Sequence, residues 1–398
     1  MTTLPSADPL SRAFWTYWAG LVLTALGDAA ISVALPFLVL ASGRGQEGIG
    51  LVVLAGSLPR FLAPLLGGLA DRLSPRPLLW VSGAARAGAG GLIGLLALDG
   101  PVSLVLLSVL AFLNGLFATL AYTTGSALVP RIVPAPRLAQ ANSLVSGALM
   151  GVPLAGYGLS GVLIHLVGAA GTLLLSAPLV LGLALAALAL PRAGAAGTGG
   201  RVRPLRDFRE GLGVIRASPL LLGLLGMSFA LNLAMNVMNV RAPLHMTQHG
   251  RGAADYAIFE MVISGAVLGG IALVTPLLAR FSSDTVIGTG RWILVAGTLG
   301  FVFTPVAAWW VTAAVFGLGL GLLEVAATTR SQQLVPRELR GRVVGSLMGI
   351  NALGLALGAG LAAQPLETAA VMLGLTLTLA LLALSWPLAV RWEGQRQT

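Results

Sequence analysis

Asp28, Arg60 and Arg86 each stand inside a long apolar run, and that placement is the first chemical signal in the chain. A charge within hydrocarbon is costly and persists where it is paired or faces water, so each is a functional candidate. Counted from the turn at Ser74, Arg60 lies fourteen residues back and Arg86 twelve forward, which puts both guanidiniums at one depth. Asp28, at the centre of the first run, can exchange a proton or touch a substrate, or it can be the structural partner of Arg60 or Arg86. Burial favours a neutral acid and a neighbouring arginine an ionised one, and the sequence leaves that balance open.

The second part of the chain carries different groups. Asn232, Asn236 and Asn239 recur at i, i+4 and i+7, one face of a helix. Amides facing lipid are expensive, so the stripe either lines a cavity or hydrogen-bonds a neighbouring helix. Glu324 follows a glycine-rich run and has no obvious midspan cation, which makes it a second candidate carboxylate. Arg241 and Glu260 both fall near the outer ends of their runs and are expected to form a structural ion pair. Cysteine is absent and there are three histidines, so neither a metal site nor a cofactor is expected.

These groups must be held by spanning helices. Of 398 residues, 56% are hydrophobic, more than a water-soluble domain can cover. A span needs ~20 apolar residues, and twelve such runs are read: 14–42, 48–70, 78–98, 101–126, 140–167, 171–190, 220–247, 257–279, 292–308, 310–330, 343–364 and 368–390. Lipid forces each to be helical, because unpaired backbone groups find no water there. All 24 basic residues are arginine; with both termini inside, nineteen lie in inner loops and tails and two, Arg44 and Arg251, in outer ones. That bias fixes the expected orientation and explains the +10 charge without nucleic acid. The eight tryptophans sit at the ends of runs and are expected to anchor at the interface.

Two halves are expected. Leu128-Val129-Pro130-Arg131 recurs as Leu334-Val335-Pro336-Arg337, an offset of 206 residues that also carries Phe14 onto Leu220. A polar stretch divides them, giving a first bundle over 1–190, a linker over 191–219 and a second bundle over 220–398. Asp207–Arg216 within the linker is expected to form a short interfacial helix.

The turn Gly67–Arg76, GGLADRLSPR, sets Asp71, Arg72 and Arg76 between the second and third runs. It resembles the loop signature of the major facilitator superfamily, with Gly67, Leu69, Ala70, Asp71, Arg72 and Arg76 matching, and Ser74 and Pro75 standing where the pattern has glycine and a basic residue. Gly147–Gly158 partly resembles that family's fifth-helix antiporter motif through Gly147, Gly151, Pro153 and Gly156, with Val152 replacing a glycine. The segments Leu26–Leu40, Leu128–Leu144 and Val335–Val344 resemble the drug-exporter branch that includes macrolide and enterobactin exporters. The resemblance implies an all-α polytopic fold of twelve transmembrane helices in two pseudo-symmetric six-helix bundles, rocking about a central cavity. It also implies a cytoplasmic latch in which Asp71 faces the start of the eleventh helix near Arg340 and Arg342.

The expected protein is therefore a proton-coupled exporter of amphipathic small molecules in the bacterial inner membrane, acting as a monomer with both termini cytoplasmic. No nucleophile–base pair suggests an enzyme. An exporter or flippase of an organic anion, such as a siderophore or lysophospholipid, is the alternative cargo reading. A non-transporting receptor or scaffold is the alternative of another class.

Overall fold

A computed structural model of the protein describes residues 10–190, 204–303, 305–336 and 339–397, without the side chains of Asp71, Ala139, Pro204, Leu205, Asp207, Arg340, Arg396 and Gln397. Among the described residues all regular structure is helical, as lipid demands of a spanning chain. The elements are α1 Arg12–Ala41, α2 Gly45–Ser57, α3 Ala63–Arg72, α4 Pro75–Leu98, α5 Leu104–Ile132, α6 Leu138–Ala189 and α7 Pro204–Ala217. There follow α8 Pro219–Gln248, α9 Ala253–Leu278, α10 Ser283–Phe303, α11 Trp309–Leu334, α12 Arg340–Ala363 and α13 Thr368–Gln397. Eleven spans among the described residues are long and apolar enough to cross a membrane. One of them, the 52-residue α6, breaks at Gly168, where φ is 72° and ψ 176°, a conformation open to glycine but strained for other residues. Its two arms are the fifth and sixth expected spans, so the chain makes twelve crossings. α2 and α3 form the second span, joined by a 3₁₀ turn at Leu58–Leu62 in which Pro59 withholds one backbone donor.

Helix starts repeat between the halves. Ser11 caps α1 by accepting from the Phe14 amide, and Ser218 caps α8 by accepting from the Leu221 amide, each answering an amide that a first turn leaves unpaired. The linker falls partly outside the described residues, but its second part is a helix. α7 covers the expected Asp207–Arg216 and buries Ile215 completely.

Boundaries differ in two informative places. The ninth span begins at Ser283 rather than at residue 292, so Arg291 is not in an inner loop; it is fully buried inside α10. Its guanidinium donates to the Leu382 and Gly223 carbonyls, each at 2.9 Å, and lies 4.1 Å over the Trp386 ring. Trp386 and Trp309 are accordingly buried rather than interfacial, whereas Trp15, Trp80, Trp292 and Trp392 are exposed. Helix carbonyls of α8 and α13 satisfy the cation where a loop would have satisfied it with water.

Small residues set the packing. A Cβ on Gly83 or Gly94 of α4 would strike the sixth-span arm of α6 at Ala184 or Leu174, and one on Gly270 or Gly321 would strike across α9 and α11. Close backbone approach of this kind holds helices together without a hydrophobic drive. Between the halves the same device works at one end only. Gly50 of α2 meets Ala363 of α12, and Gly161 of α6 meets Ala257 of α9. Towards the opposite face, which carries the linker helix and both described chain ends, Gly67, Gly147, Gly151, Gly269 and Gly345 have nothing within 4 Å of a Cβ. The same four spans that touch at the far face stand apart at the linker face, leaving a cleft that opens there.

Candidate functional site

Asp28 and Arg86 come together as the first-half charges. The Arg86 guanidinium donates through one terminal nitrogen to Asp28 Oδ1, and its Nε donates to Asn114 Oδ1 at 3.2 Å. α1, α4 and α5 each supply one member. The Arg86 side chain is only 4% exposed while that of Asp28 keeps 44%, so the cation is sealed and the carboxylate retains an accessible side. Arg60 stands exposed on the 3₁₀ turn, with no ion pair or hydrogen bond among the described residues. Asn114 was not expected; a lone amide in the apolar fourth span was the available signal.

Of the amide stripe on α8, Asn236 bonds neighbouring helices and the other two bond within α8. Asn236 is buried and donates to Ser57 Oγ of α2 at 3.1 Å and to the Leu355 carbonyl of α12 at 2.7 Å. Asn239 donates to Asn236 Oδ1 at 3.2 Å, and Asn232 to the Ser228 carbonyl of its own helix at 2.8 Å. Asn236 thus belongs to the seam between the halves, one turn from the break at Pro59. Glu324 is exposed on α11, as is Thr328 one turn on, and no ion pair involves that carboxylate among the described residues.

Arg241 and Glu260 do not pair, contrary to expectation. Arg241 is 1% exposed and donates to Gln46 Oε1 at 3.0 Å and to the Gln364 and Leu366 carbonyls. Gln46 donates in turn to the Gln364 carbonyl at 2.8 Å. These bonds tie α2 to the α12–α13 turn at the far face. The carbonyls of that turn hold the guanidinium, and no ion pair involves Glu260 among the described residues. Tyr157 lies in electrostatic reach of Asp28 and Glu260, and Ser32 Oγ donates to the Ala29 carbonyl at 2.8 Å.

The two sequence motifs are each divided by the open cleft. Gly156 packs on Ala29 and Leu26 of α1, Pro153 lies within α6 in between, and Gly147 and Gly151 face open space. Of the loop motif, Arg76 donates to the Leu190 carbonyl at 3.4 Å, Arg72 is exposed and Gly67 has no neighbour. The latch side chains Asp71 and Arg340 lie outside the described residues. Arg342 is bonded to Glu210 of α7, which also accepts from Arg206 at 2.8 Å. The bond from Arg206, seconded by Arg342, holds the Glu210 carboxyl below the usual carboxylate range. Ser346 Oγ donates to the Phe208 carbonyl at 3.0 Å, fixing α7 against α12. No cluster of three or more metal-ligating side chains occurs among the described residues.

Comparison with known proteins gives the context for this arrangement. The model of the Major Facilitator Superfamily matches residues 17–359. An MFS-type transporter of Sinorhizobium fredii is 27% identical over 382 residues, 91% of each chain. The multidrug efflux pump Tap of Mycolicibacterium fortuitum is 29% identical over 331 residues, 80% of each chain. Among solved structures, the nucleoside transporter NupG superposes with a TM-score of 0.74 at 13% identity, over 96% of this chain and 99% of that one.

Proposed function

Since the chain belongs to the Major Facilitator Superfamily, whose members are transporters, we propose that it is a proton-coupled exporter of amphipathic small molecules working by alternating access. The observation that carries this reading is the Asp28–Arg86–Asn114 network beside a cleft open to one face. In this reading the linker face is cytoplasmic, the membrane is a bacterial inner membrane, and the protein acts as a monomer divided into bundles 1–190 and 220–398. The likeness to an efflux pump over most of the chain supports export.

The chemistry follows from the unequal burial of the pair. Arg86 cannot reach water, so its charge must be matched either by ionised Asp28 or by another anion or dipole in the cleft. A proton delivered to Asp28 breaks that match, weakens the tie between α1 and α4, and lets the first half repack. The groups facing Asp28 are Arg86 from α4 and Tyr157 from α6, with Ser32 one turn along its own helix. Rocking about the far-face contacts would then bring the linker ends of α3, α6, α9 and α12 together. There Asp71 is assigned the latch, opposite Arg342 and the start of α12, where a helix N-terminus favours an anion. Purified protein in liposomes tests the reading: an imposed pH gradient should drive uptake of a lipophilic dye in wild type, and Asp28→Asn should remove the gradient dependence. Dye flux indifferent to the gradient in wild type would refute proton coupling.

A further inference from the structure

The face opposite the cleft carries a cavity of its own. About 660 Å³ of space is walled by Arg44, Glu47 and Leu51 of the first half and by Leu244, Gln248 and Gln364 of the second, a size within the range of about 300–1,000 Å³ usual for ligand pockets. It straddles the seam at the far-face joint: Gln46 and Gln364, both in its wall, are bonded to each other and to Arg241. Arg44 and Glu47 are exposed and line the same space, yet neither side chain has an ion pair or hydrogen bond among the described residues. The Gln248 amide is likewise exposed and unbonded among them.

Depth decides what kind of molecule fits. Leu51 stands six residues into α2 and Leu244 four residues before the end of α8, about 9 and 6 Å below the helix ends. An interfacial layer of about 5–7 Å separates hydrocarbon from water on each side of a bilayer. The cavity therefore has a charged rim at headgroup level and an apolar lower wall where acyl chains begin. That profile suits a lipid standing in the leaflet rather than a solute. A head bearing a phosphate and a primary ammonium answers each unpaired group: the phosphate accepts from Arg44, and the ammonium donates to Glu47 and to Gln248 Oε1. A choline head has no N–H to donate, and a glycerol head would set an uncompensated anion beside Glu47. We propose that the far-face cavity binds an ethanolamine phospholipid, its head held between Arg44 and Glu47. The wall is complete only while the two halves meet at this face, so bound lipid favours the closed far face through an affinity that the other state lacks. This site is independent of cargo and coupling, because it lies at the face opposite the cleft.

Native mass spectrometry of the purified protein, titrated with ethanolamine, choline and glycerol phospholipids of one acyl composition, reads the head preference. Wild type should bind the ethanolamine lipid at least about fivefold more tightly than the other two. Arg44→Gln with Glu47→Gln, which leaves net charge unchanged, should raise that Kd about tenfold and leave the other two as in wild type. Equal affinities in wild type, or a preference that survives the double variant, overturn the proposal. Glycerophosphoethanolamine, the same head without chains, should not displace the lipid; displacement would make the site one for a soluble zwitterion and overturn the lipid assignment. Spin labels at Asp99→Cys and Glu367→Cys, both exposed, test the conformational consequence in nanodiscs. The closed far-face distance should be more populated in ethanolamine than in choline lipid for wild type, and equally populated in both for the double variant. Populations indifferent to the head in wild type would overturn the role in closure.

Discussion

Both halves bury arginine, but they answer its charge differently. In the first, Arg86 meets a carboxylate and an amide, Asp28 and Asn114. In the second, Arg241 and Arg291 meet main-chain carbonyls, with Gln46 or the Trp386 face as the remaining contact. A carbonyl dipole does not titrate, so a guanidinium held that way is a fixed joint. A carboxylate does, so the same guanidinium held by Asp28 is a joint that a proton can open. Among the fully buried arginines, the switchable contact therefore lies in the first half and the permanent ones in the second, where the partly exposed Arg330 is the arginine that meets a carboxylate, Asp284.

That contrast is broken most directly by exchanging what each arginine loses. Arg86→Gln strands Asp28 beside a cleft and should cost about 3 kcal/mol or more, with gradient-driven transport abolished. Adding Asp28→Asn should recover part of that stability but no coupling, a non-additivity expected of partners in contact. Arg291→Leu should cost about 1–3 kcal/mol, from the loss of two hydrogen bonds donated by a charged group, while transport per folded molecule stays near wild type. Thermal melting of the purified variants together with liposome flux checks both arms. Lost coupling in Arg291→Leu at wild-type cleft binding would erase the distinction between the halves.

The sequence carried this contrast only in part. Asp28 and Arg86 were legible because depth can be counted from a turn, and charges in apolar runs are few. Asn236, likewise, was legible as part of a face, though whether that face meets water or a helix depends on Ser57, 179 residues away. Depth also misled. Arg241 and Glu260 share a level, yet pairing depends on direction around the helix axis, and the carbonyls of the α12–α13 turn lay on the right side. Arg291 was misplaced because Trp292 was taken as the edge of the bilayer, when that ring is exposed beside a helix already two turns old. The gap left between the spans 140–167 and 171–190, by contrast, holds the break that the structure places at Gly168.

A sharper version asks whether the fixed joint at the far face sets the resting state. Gln46 is the only first-half side chain seen on Arg241 among the described residues. Gln46→Ala would leave the arginine bonded within its own half and remove a charge-assisted bond across the seam, a loss of about 1.5–3 kcal/mol. The far face should then open in a measurable fraction of molecules. Because the chain has no cysteine, spin labels at Glu47→Cys and Glu367→Cys, both exposed, report that separation without background. A distance distribution unchanged by Gln46→Ala would place the closure in the glycine contacts instead.

The smallest effect is expected where charge is held in water, at the linker helix. Glu210 keeps a third of its side chain exposed, and Arg206 and Arg342 hold its carboxyl below the usual range. A depressed folded-state value means that its contribution to docking α7 on α12 is complete above the ordinary glutamate value of about 4.3. The contribution is lost only as pH falls through the lower folded-state value. Screening by solvent makes such a contact weak, and the Ser346–Phe208 bond and buried Ile215 remain to hold the helix. Labels at Gly213→Cys on α7 and Val344→Cys on α12 should therefore give one narrow distance from pH 8 to about 5, broadening below the ordinary glutamate value. Glu210→Gln should broaden it slightly at every pH and flatten the pH response, with transport at neutral pH changed less than about twofold, within the weak energies of exposed pairs. A linker helix released outright by Glu210→Gln would show instead that α7 is held by charge, and that the first half's pair is not the chain's sole electrostatic switch.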